Sequence, residues 1–131
     1  MASEKNLLND SWAANADLST KQYFAMKLGT TAGQIAIAAA ATDYVIGILQ
    51  NTPAAAGRAA ELCVYGRTKA QVEATTDIAI GDALGVDANG RLIKRTADKD
   101  MVVAIAEEAA TAATGDVIGV FFLGGPRWLG V

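Results

Sequence analysis

The 131-residue sequence has no histidine, one cysteine and two prolines, and aromatic residues make up only 6% of it. Without histidine the chain cannot form the histidine-dependent serine and cysteine triads or most zinc sites. The single cysteine, Cys63, excludes a disulfide within the chain. Because Cys63 lies in an apolar run, we expect it to be a small buried core residue. These absences exclude many familiar catalytic centres.

The formal net charge is only −3, and the basic residues are scattered rather than clustered with aromatics. This pattern gives little support for nucleic-acid binding. The longest apolar run, residues 35–41, is far shorter than the roughly 20 residues that span a bilayer. The N-terminal region lacks the pattern of a signal peptide. We therefore expect a soluble protein, made in a cytoplasm, with neither nucleic acid nor a membrane as its partner.

Apolar residues reach 52%, and alanine inflates this figure. A domain built from such small side chains has a thin core of its own. Chains of this kind often gain stability by associating with copies of themselves or with a larger surface. Self-association or attachment is therefore a first functional expectation.

The stretch 43–51 is apolar and rich in β-branched residues, and Thr52-Pro53 closes it with a turn signal. Gly47 would weaken the middle of a helix, and nine residues are few for one. The stretch therefore predicts a strand buried on both faces, around which we expect the chain to be organised.

A weak copy of this stretch returns at residues 100–108. Aspartate opens both copies, and a small residue, Gly47 or Ala104, occupies the same place in each. An alanine-rich loop ending in glycine follows both copies and leads into another apolar run. The offset between the copies is 57 residues at the first element and 58 at the last. This pattern indicates an internal repeat with one inserted loop residue.

Other segments also have the composition of short strands. Asn89-Gly90 predicts a hairpin with a type I′ turn, which needs a positive φ at both positions. Gly66 is expected to turn or bend the chain. The polar segment 67–74 that follows it is expected to be a strand solvated on one face or at a protected sheet edge. Eight to ten short strands with turns every 8–12 residues predict an all-β barrel or sandwich. The expected strands, besides 43–51 and the segments flanking Asn89-Gly90, are 22–28, 34–38, 60–65, 67–74, 101–106 and 117–123.

We divide the chain into an N-terminal arm (1–20), a β domain (21–124) and a short C-terminal tail (125–131). The polar arm is interpreted either as a flexible terminus or as a segment that orders on a partner through Trp12. The tail ends in apolar residues that either fold back over the core or dock on a neighbouring subunit.

No active site emerges from the sequence. Glu107 and Glu108 are adjacent, so in a strand they would point to opposite faces. Asp82, Asp87 and Asp116 lie beside glycines or turns, where aspartate usually accepts backbone hydrogen bonds. We expect no catalytic residue, no metal site and no cofactor.

Three segments together resemble the head-decoration, or capsid-cement, proteins of tailed bacteriophages, a likeness that covers residues 22–123. Such families are small β-rich domains of the β-tulip kind. The resemblance implies a homotrimer that binds the major capsid protein on the outer surface of the expanded head. Bound there in the virion, it would stabilise the head against the pressure of packaged DNA. The segments are Asp43-Tyr44-Val45-Ile46-Gly47-Ile48-Leu49-Gln50-Asn51 with Pro53, then Ile80-Gly81-Asp82-Ala83-Leu84 with Asp87 and Gly90-Arg91, and finally Val103-Ala104-Ile105-Ala106-Glu107.

For such a protein we predict partner contacts by Trp12 and Leu18 from the arm and by Trp128 and Leu129 from the tail. The alternative is a non-catalytic carbohydrate- or surface-binding β module of a phage tail or a bacterial surface protein. That function would require exposed aromatic platforms. An enzyme is the third hypothesis, which the missing histidine and the lack of a carboxylate pair disfavour.

Overall fold

The computed structural model describes residues 5–73, 77–97, 99–111 and 114–128, and these ranges contain strands but no helix. The prediction of a small all-β domain with eight to ten strands is confirmed. The strands form one mixed sheet rather than a regular barrel, in the order β1-β3-β2-β4-β5-β7-β6-β8-β9. They are β1 (Lys5–Ala14), β2 (Ala25–Leu28), β3 (Gln34–Ile37), β4 (Val45–Leu49), β5 (Ala59–Glu73), β6 (Ala83–Val86), β7 (Leu92–Lys94), β8 (Met101–Ala106) and β9 (Thr114–Trp128).

Strand β5, rather than the expected stretch 43–51, is the organising element of the sheet. It pairs with β1, β4, β7 and β9. Gly66 pairs with Asn6 of β1 and with Phe122 of β9, so these two strands flank β5. Of the two positions expected for segment 67–74, a sheet edge is therefore wrong, whereas a strand solvated on one face agrees with the alternating burial of residues 67–73. Its inward-facing residues Thr68 and Ala70 are small and fully buried, which lets the long strands pack closely.

The two strands expected on either side of Gly66 are one continuous strand. Gly66 has a φ of 118°, a backbone conformation that favours glycine. The pairing of β1 with β5 is irregular at this point, with register shifts between Asn6 and Leu8 and between Leu8 and Asn9. Gly66 therefore bends β5 without ending it.

The described part of the expected N-terminal arm is largely β1, a strand of the sheet. β1 pairs antiparallel with β5, and its last two residues, Ala13 and Ala14, pair in parallel with β3. Ala14 is fully buried and Leu18 is 4% exposed, so burial of apolar side chains holds this segment in place. The flexible terminus considered above does not describe it. The boundary at residue 20 stays a prediction.

Strand β9 continues past the expected start of the tail at residue 125. Met101 of β8 pairs with Trp128, and Val102 pairs with Arg127. Residues 125–128 are thus part of a 15-residue strand. Leu129 lies outside the described residues.

The core contains two clusters of buried apolar residues. Cys63 is also fully buried, so its expected burial is confirmed. The larger cluster combines residues of both repeats, with Phe122 as its largest fully buried side chain. The smaller cluster lies beneath the first strands and includes Leu18, Phe24, Met26 and Leu62, with Trp12 packed against it.

The internal repeat is confirmed and is longer than the sequence indicated. Strands β3-β2-β4-β5 and β7-β6-β8-β9 follow the same order. Their registers also agree: Ile48 pairs with Cys63 in the first repeat, and Ile105 pairs with Phe121 in the second. These pairs keep the offsets of 57 and 58 residues found in the sequence. We call β2 to β5 the first repeat and β6 to β9 the second repeat.

The correspondence extends to β1. Ala14 of β1 pairs in parallel with Ile35 of β3, and Val72 of β5 pairs in parallel with Leu92 of β7. Strand β1 therefore precedes the first repeat as β5 precedes the second. Strand β5 is the last strand of one repeat and the opening strand of the next.

The hairpin predicted at Asn89-Gly90 is present, but its turn is not type I′. Gly90 has a φ of 83°, whereas Asn89 does not adopt a positive φ. The Asp87 carboxylate accepts hydrogen bonds from the Asn89 and Arg91 N–H groups at 2.7 and 2.9 Å. These bonds favour a longer loop with a single left-handed glycine. The matching loop of the first repeat has Gly33 at φ 82°.

Candidate interaction surface

Two exposed tyrosines, Tyr44 and Tyr65, lie against neighbouring glycines of β9, and Tyr65 also contacts Phe121. We call these three side chains the aromatic surface. Tyr44 is 61% exposed and Tyr65 is 40% exposed. The rings of Tyr65 and Phe121 meet edge to face, with centroids 5.4 Å apart. Such pairs hold aromatic rings in a defined orientation. The surface is thus partly pre-arranged.

Two glycines of β9 allow both tyrosines to lie against the strand. A Cβ on Gly124 would be 3.0 Å from Cδ1 of Tyr65, and one on Gly125 would be 3.4 Å from the hydroxyl of Tyr44. Both glycines have a positive φ, 77° and 147°. A side chain at either position would be strained, and at Gly124 it would also press on Tyr65. This explains the Gly124-Gly125 pair of the sequence.

Leu8 enlarges the apolar part of this region. It is 57% exposed and lies opposite Tyr65 in the ladder between β1 and β5. A large exposed aliphatic side chain beside exposed aromatics is typical of a contact surface. Strands β1, β5 and β9 and the segment before β4 therefore all contribute to it.

A salt bridge borders the aromatic surface. Arg67 pairs with Phe121 across the β5–β9 ladder, and its Nε lies 3.1 Å from Oε2 of Glu107. Both side chains are partly exposed, so the ion pair contributes on the order of 1 kcal/mol or less to stability. A polar rim around an apolar centre is the usual anatomy of a protein interface.

Asp43, which precedes Tyr44 in the chain, holds the loop before β4 in place. The Asp43 carboxylate accepts hydrogen bonds from Ala39 N at 2.8 Å, Ala40 N at 3.0 Å and Lys27 Nζ at 3.1 Å. The backbone hydrogen bond from Ala39, aided by the contact with Lys27, lowers the pKa of Asp43 below its usual value. The ionised carboxylate thus ties the loop before Tyr44 to Lys27 of β2.

The predicted contact residues do not form one group in the structure. Trp12 is half-buried and packs against the smaller core cluster. Leu18 is only 4% exposed, whereas Trp128 is 47% exposed at the end of β9. Leu129 falls outside the described residues. The roles of all four residues in partner binding stay predictions.

Sequence reasoning missed Tyr44, Tyr65 and Leu8. Tyr44 was placed inside a strand buried on both faces, but β4 begins at Val45. Tyr65 could have been found, because residues 59, 61, 65 and 67 of β5 are exposed while residues 60, 62, 66 and 68 are buried. Leu8 was missed because the polar residues around it interrupt the alternating apolar pattern that would indicate a strand.

The residues considered for chemistry have structural roles. Asp82 accepts a hydrogen bond from Ala79 N at 2.8 Å, and Asp87 stabilises its turn as described above, so both predictions are confirmed. Within the described ranges, no three potential metal-ligating side chains come together. These same ranges contain no helix that is long and apolar enough to cross a membrane. The arrangement suits contact rather than reaction.

A family model described as phage cement protein matches residues 13–121. The chain belongs to the phage cement protein family. The expectation drawn from the resemblance is confirmed: this cement protein is a structural protein of the phage capsid, which it stabilises. The match covers β2 to β8 entirely and parts of β1 and β9.

A solved structure supports the fold of the cement protein. The N base of the head fibre protein gp8.5 from bacteriophage phi29 aligns with 92% of this chain and 97% of its own, with a TM-score of 0.63. The two sequences are 17% identical, so the likeness concerns the fold alone. Among curated protein sequences, none matches this chain.

Proposed function

We propose that the cement protein binds the major capsid protein on the outer surface of the expanded head, as a homotrimer of the β-tulip kind. There it strengthens the head against the pressure of packaged DNA. The observation that carries this proposal is an exposed aromatic surface on a chain that belongs to the cement protein family.

The aromatic surface has the composition that capsid binding needs. Tyrosine is enriched at protein interfaces because its ring buries a large area while its hydroxyl forms hydrogen bonds. Many identical molecules on a symmetric shell multiply a modest affinity per site. Binding only the expanded shell stabilises that shell by mass action. Capsid stabilisation therefore requires no catalytic group.

Trp128 is a second proposed contact, because it is exposed on the strand that carries Phe121. Trp12 of β1 and Leu129, which lies outside the described residues, remain proposed contacts. Leu18 would reach a partner only if the segment around it moved, because it is 4% exposed.

We also propose that the protein has no catalytic activity and binds neither nucleic acid nor membrane. The lack of histidine, the scattered basic residues and the structural role of the family support this proposal.

The test uses expanded heads stripped of cement protein, to which wild-type or variant protein is added. Wild type should bind saturably, appear on the outside of the shell by cryo-electron microscopy, and raise the temperature at which heads release DNA. The double variant Tyr44→Ser/Tyr65→Ser should bind about 30-fold more weakly, since interface tyrosines often contribute 2 kcal/mol or more.

Ile80→Ser is the matched control, because Ile80 is 74% exposed in the turn before β6 and lies outside the aromatic surface. It should bind as wild type does. Equal binding by the tyrosine double variant would show that another surface meets the shell. Density on the inside of the shell would contradict the proposed location.

The two exposed tyrosines also keep the carbohydrate-binding alternative testable, since aromatic platforms stack on sugars. A glycan array with reproducible hits that Tyr44→Ser abolishes would favour that function. An array without hits would favour capsid binding alone.

A further inference from the structure

Two buried polar atoms at the junction of the repeats have no hydrogen-bond partner among the described residues: Oε1 of Gln71 and Nε of Arg91. Gln71 belongs to β5, which ends the first repeat, and Arg91 directly precedes β7 of the second. Buried side-chain polar atoms in proteins usually have a partner, supplied by the protein or by ordered water. These two atoms therefore mark a place where a further group binds.

The pairing of β5 with β7 places the two side chains next to each other. Val72 and Leu92 form the parallel bridge between these strands, and both side chains are fully buried in the larger core cluster. Successive residues of a strand point to opposite faces, so Gln71 and Arg91, which precede the bridged residues, share the other face. Because paired strands lie only about 4.8 Å apart, the two side chains are neighbours across this bridge.

The segment before β2 lies against both polar residues. Gln71 N donates to Tyr23 O at 2.9 Å, and Cζ of Arg91 lies 5.2 Å from the ring centroid of Phe24. The Phe24 ring is itself only 4% exposed. Tyr23 and Phe24 are consecutive, so one short segment contacts Gln71 and Arg91 together. Because the two unpartnered atoms are buried, the group that binds them must be small.

The two atoms have opposite hydrogen-bonding roles. Nε–H of Arg91 can only donate, because the guanidinium group has no acceptor, whereas Oε1 of Gln71 can only accept. A group that binds both atoms must therefore accept one hydrogen bond and donate another. An anion would satisfy Arg91 alone, and a metal ion would satisfy Gln71 alone. Water is the smallest molecule that meets both requirements.

We propose that one buried water molecule bridges Nε of Arg91 and Oε1 of Gln71 and so joins the two repeats. The water accepts a hydrogen bond from Nε–H and donates one to Oε1. The Tyr23 carbonyl, which already accepts Gln71 N, can accept the second O–H because a carbonyl oxygen has two lone pairs. Buried waters typically form about three hydrogen bonds, and these groups supply that number.

The first repeat provides a matched comparison. Its residues equivalent to Gln71 and Arg91 are Ala13 and Gln34, which pair in the parallel bridge between β1 and β3. Alanine has no polar side-chain atom, so no water is expected to bridge these two side chains. The water site therefore belongs to the junction between the repeats, and Gln34→Met is the control for substitutions at it.

The direct test is a high-resolution crystal structure of the wild-type protein. It should show one ordered water within about 2.7–3.2 Å of both Nε of Arg91 and Oε1 of Gln71. A direct hydrogen bond between these two atoms, or a site without a bridging water, would overturn the proposal. The structure of Gln71→Met should lack the water, because methionine has a similar length but offers no comparable acceptor.

Thermal unfolding followed by circular dichroism supplies a second measurement. Gln71→Met should lower the unfolding temperature by about 4 °C, because Nε of Arg91 then loses the water that satisfies it. Gln71→Glu keeps an oxygen acceptor at the same place and should unfold close to the wild-type temperature at pH 7. Gln34→Met should also unfold close to it, because no bridging water is lost in the first repeat.

The variants separate loss of the acceptor from loss of packing. If Gln71→Met is as stable as the wild type, or Gln71→Glu is destabilised as much as Gln71→Met, the water bridge is overturned. If Gln71→Met fails to fold, the wild-type crystal structure decides the proposal by itself. None of these results depends on capsid binding, which the tyrosine variants test separately.

Discussion

The two repeats share one pattern of strand pairing but bury different side chains at equivalent positions. Phe122 of the second repeat is fully buried, whereas the equivalent Val64 of the first is half-buried. Conversely, Ile48 is fully buried and its equivalent Ile105 is half-buried. Backbone hydrogen bonding therefore sets the common fold. The large buried side chain in each comparison comes from a different strand, β4 in the first repeat and β9 in the second.

At a second pair of equivalent positions, two different residues adopt the same backbone conformation with a positive φ. Tyr23 has a φ of 70° and Gly81 one of 91°. Tyr23 adopts this unfavourable conformation because its N–H donates to Leu49 O at 2.7 Å and its carbonyl accepts from Gln71 N at 2.9 Å. In the second repeat, glycine meets the same requirement without strain.

The largest effect is expected at the buried aromatic position. Phe122→Ala should lower the free energy of unfolding by about 3–5 kcal/mol, because it empties the centre of the larger core cluster. Val64→Ala should cost about 1 kcal/mol, since a smaller and half-buried side chain is shortened. Urea unfolding followed by circular dichroism measures both changes. Equal losses of unfolding free energy in the two variants would contradict the unequal burial of Phe122 and Val64.

An intermediate effect is expected at the hairpin glycines, which share φ values of 82° and 83°. Gly33→Ala should cost about 1–2 kcal/mol from backbone strain alone, because a Cβ there meets open space. Gly90→Ala should cost about 2–4 kcal/mol, because its Cβ would also lie 2.6 Å from Cγ1 of Ile37. Thermal unfolding of the two variants compares them directly. A larger loss for Gly33→Ala would show that strain, not crowding, dominates.

The smallest effect is expected at the aspartates that open the two copies. Asp43 accepts three hydrogen bonds, whereas Asp100 accepts one from Ala97 N at 3.1 Å. Asp43→Asn should cost about 1 kcal/mol at pH 7 and Asp100→Asn less.

The pH dependence follows from the lowered pKa of Asp43. Its ionised form is favoured in the folded state, so the stabilisation is complete above about pH 4 and disappears as the pH falls through the lowered value. The difference in the free energy of unfolding between wild type and Asp43→Asn should therefore become smaller at acidic pH. Unfolding measured from pH 7 to pH 2 checks this, and a constant difference would rule out the carboxylate as its source.

Much of the fold could be predicted because its signals are local. The apolar run before Pro53, the repeated aspartates and the Asn89-Gly90 hairpin all indicated strands correctly. The central place of β5 could not be predicted, because its polar residues 67, 69, 71 and 73 resemble a solvated edge strand. Only the pairing with β9 shows that the alternate residues between them are buried.

The interaction surface was harder to predict than the fold. Tyr44, Tyr65 and Phe121 are distant in sequence and come together only because β9 passes beside both β4 and β5. The boundary between the β domain and the tail was placed between Gly124 and Gly125, although both glycines belong to β9 and lie against tyrosine side chains. Spacing along a single chain does not reveal a surface that three distant segments build together.

Because β5 serves both repeats at once, the polypeptide cannot be cut into two self-sufficient pieces. A fragment ending before Ala59 would lose the strand onto which β1 and β4 pair, and a fragment starting after Glu73 would leave β9 without its longest neighbour. If the two halves were co-expressed, β5 in one fragment would have to pair with strands of the other fragment, as happens in split reporter proteins. The most promising place to open the chain for such a design is the exposed loop before Ala59, which leaves that strand whole.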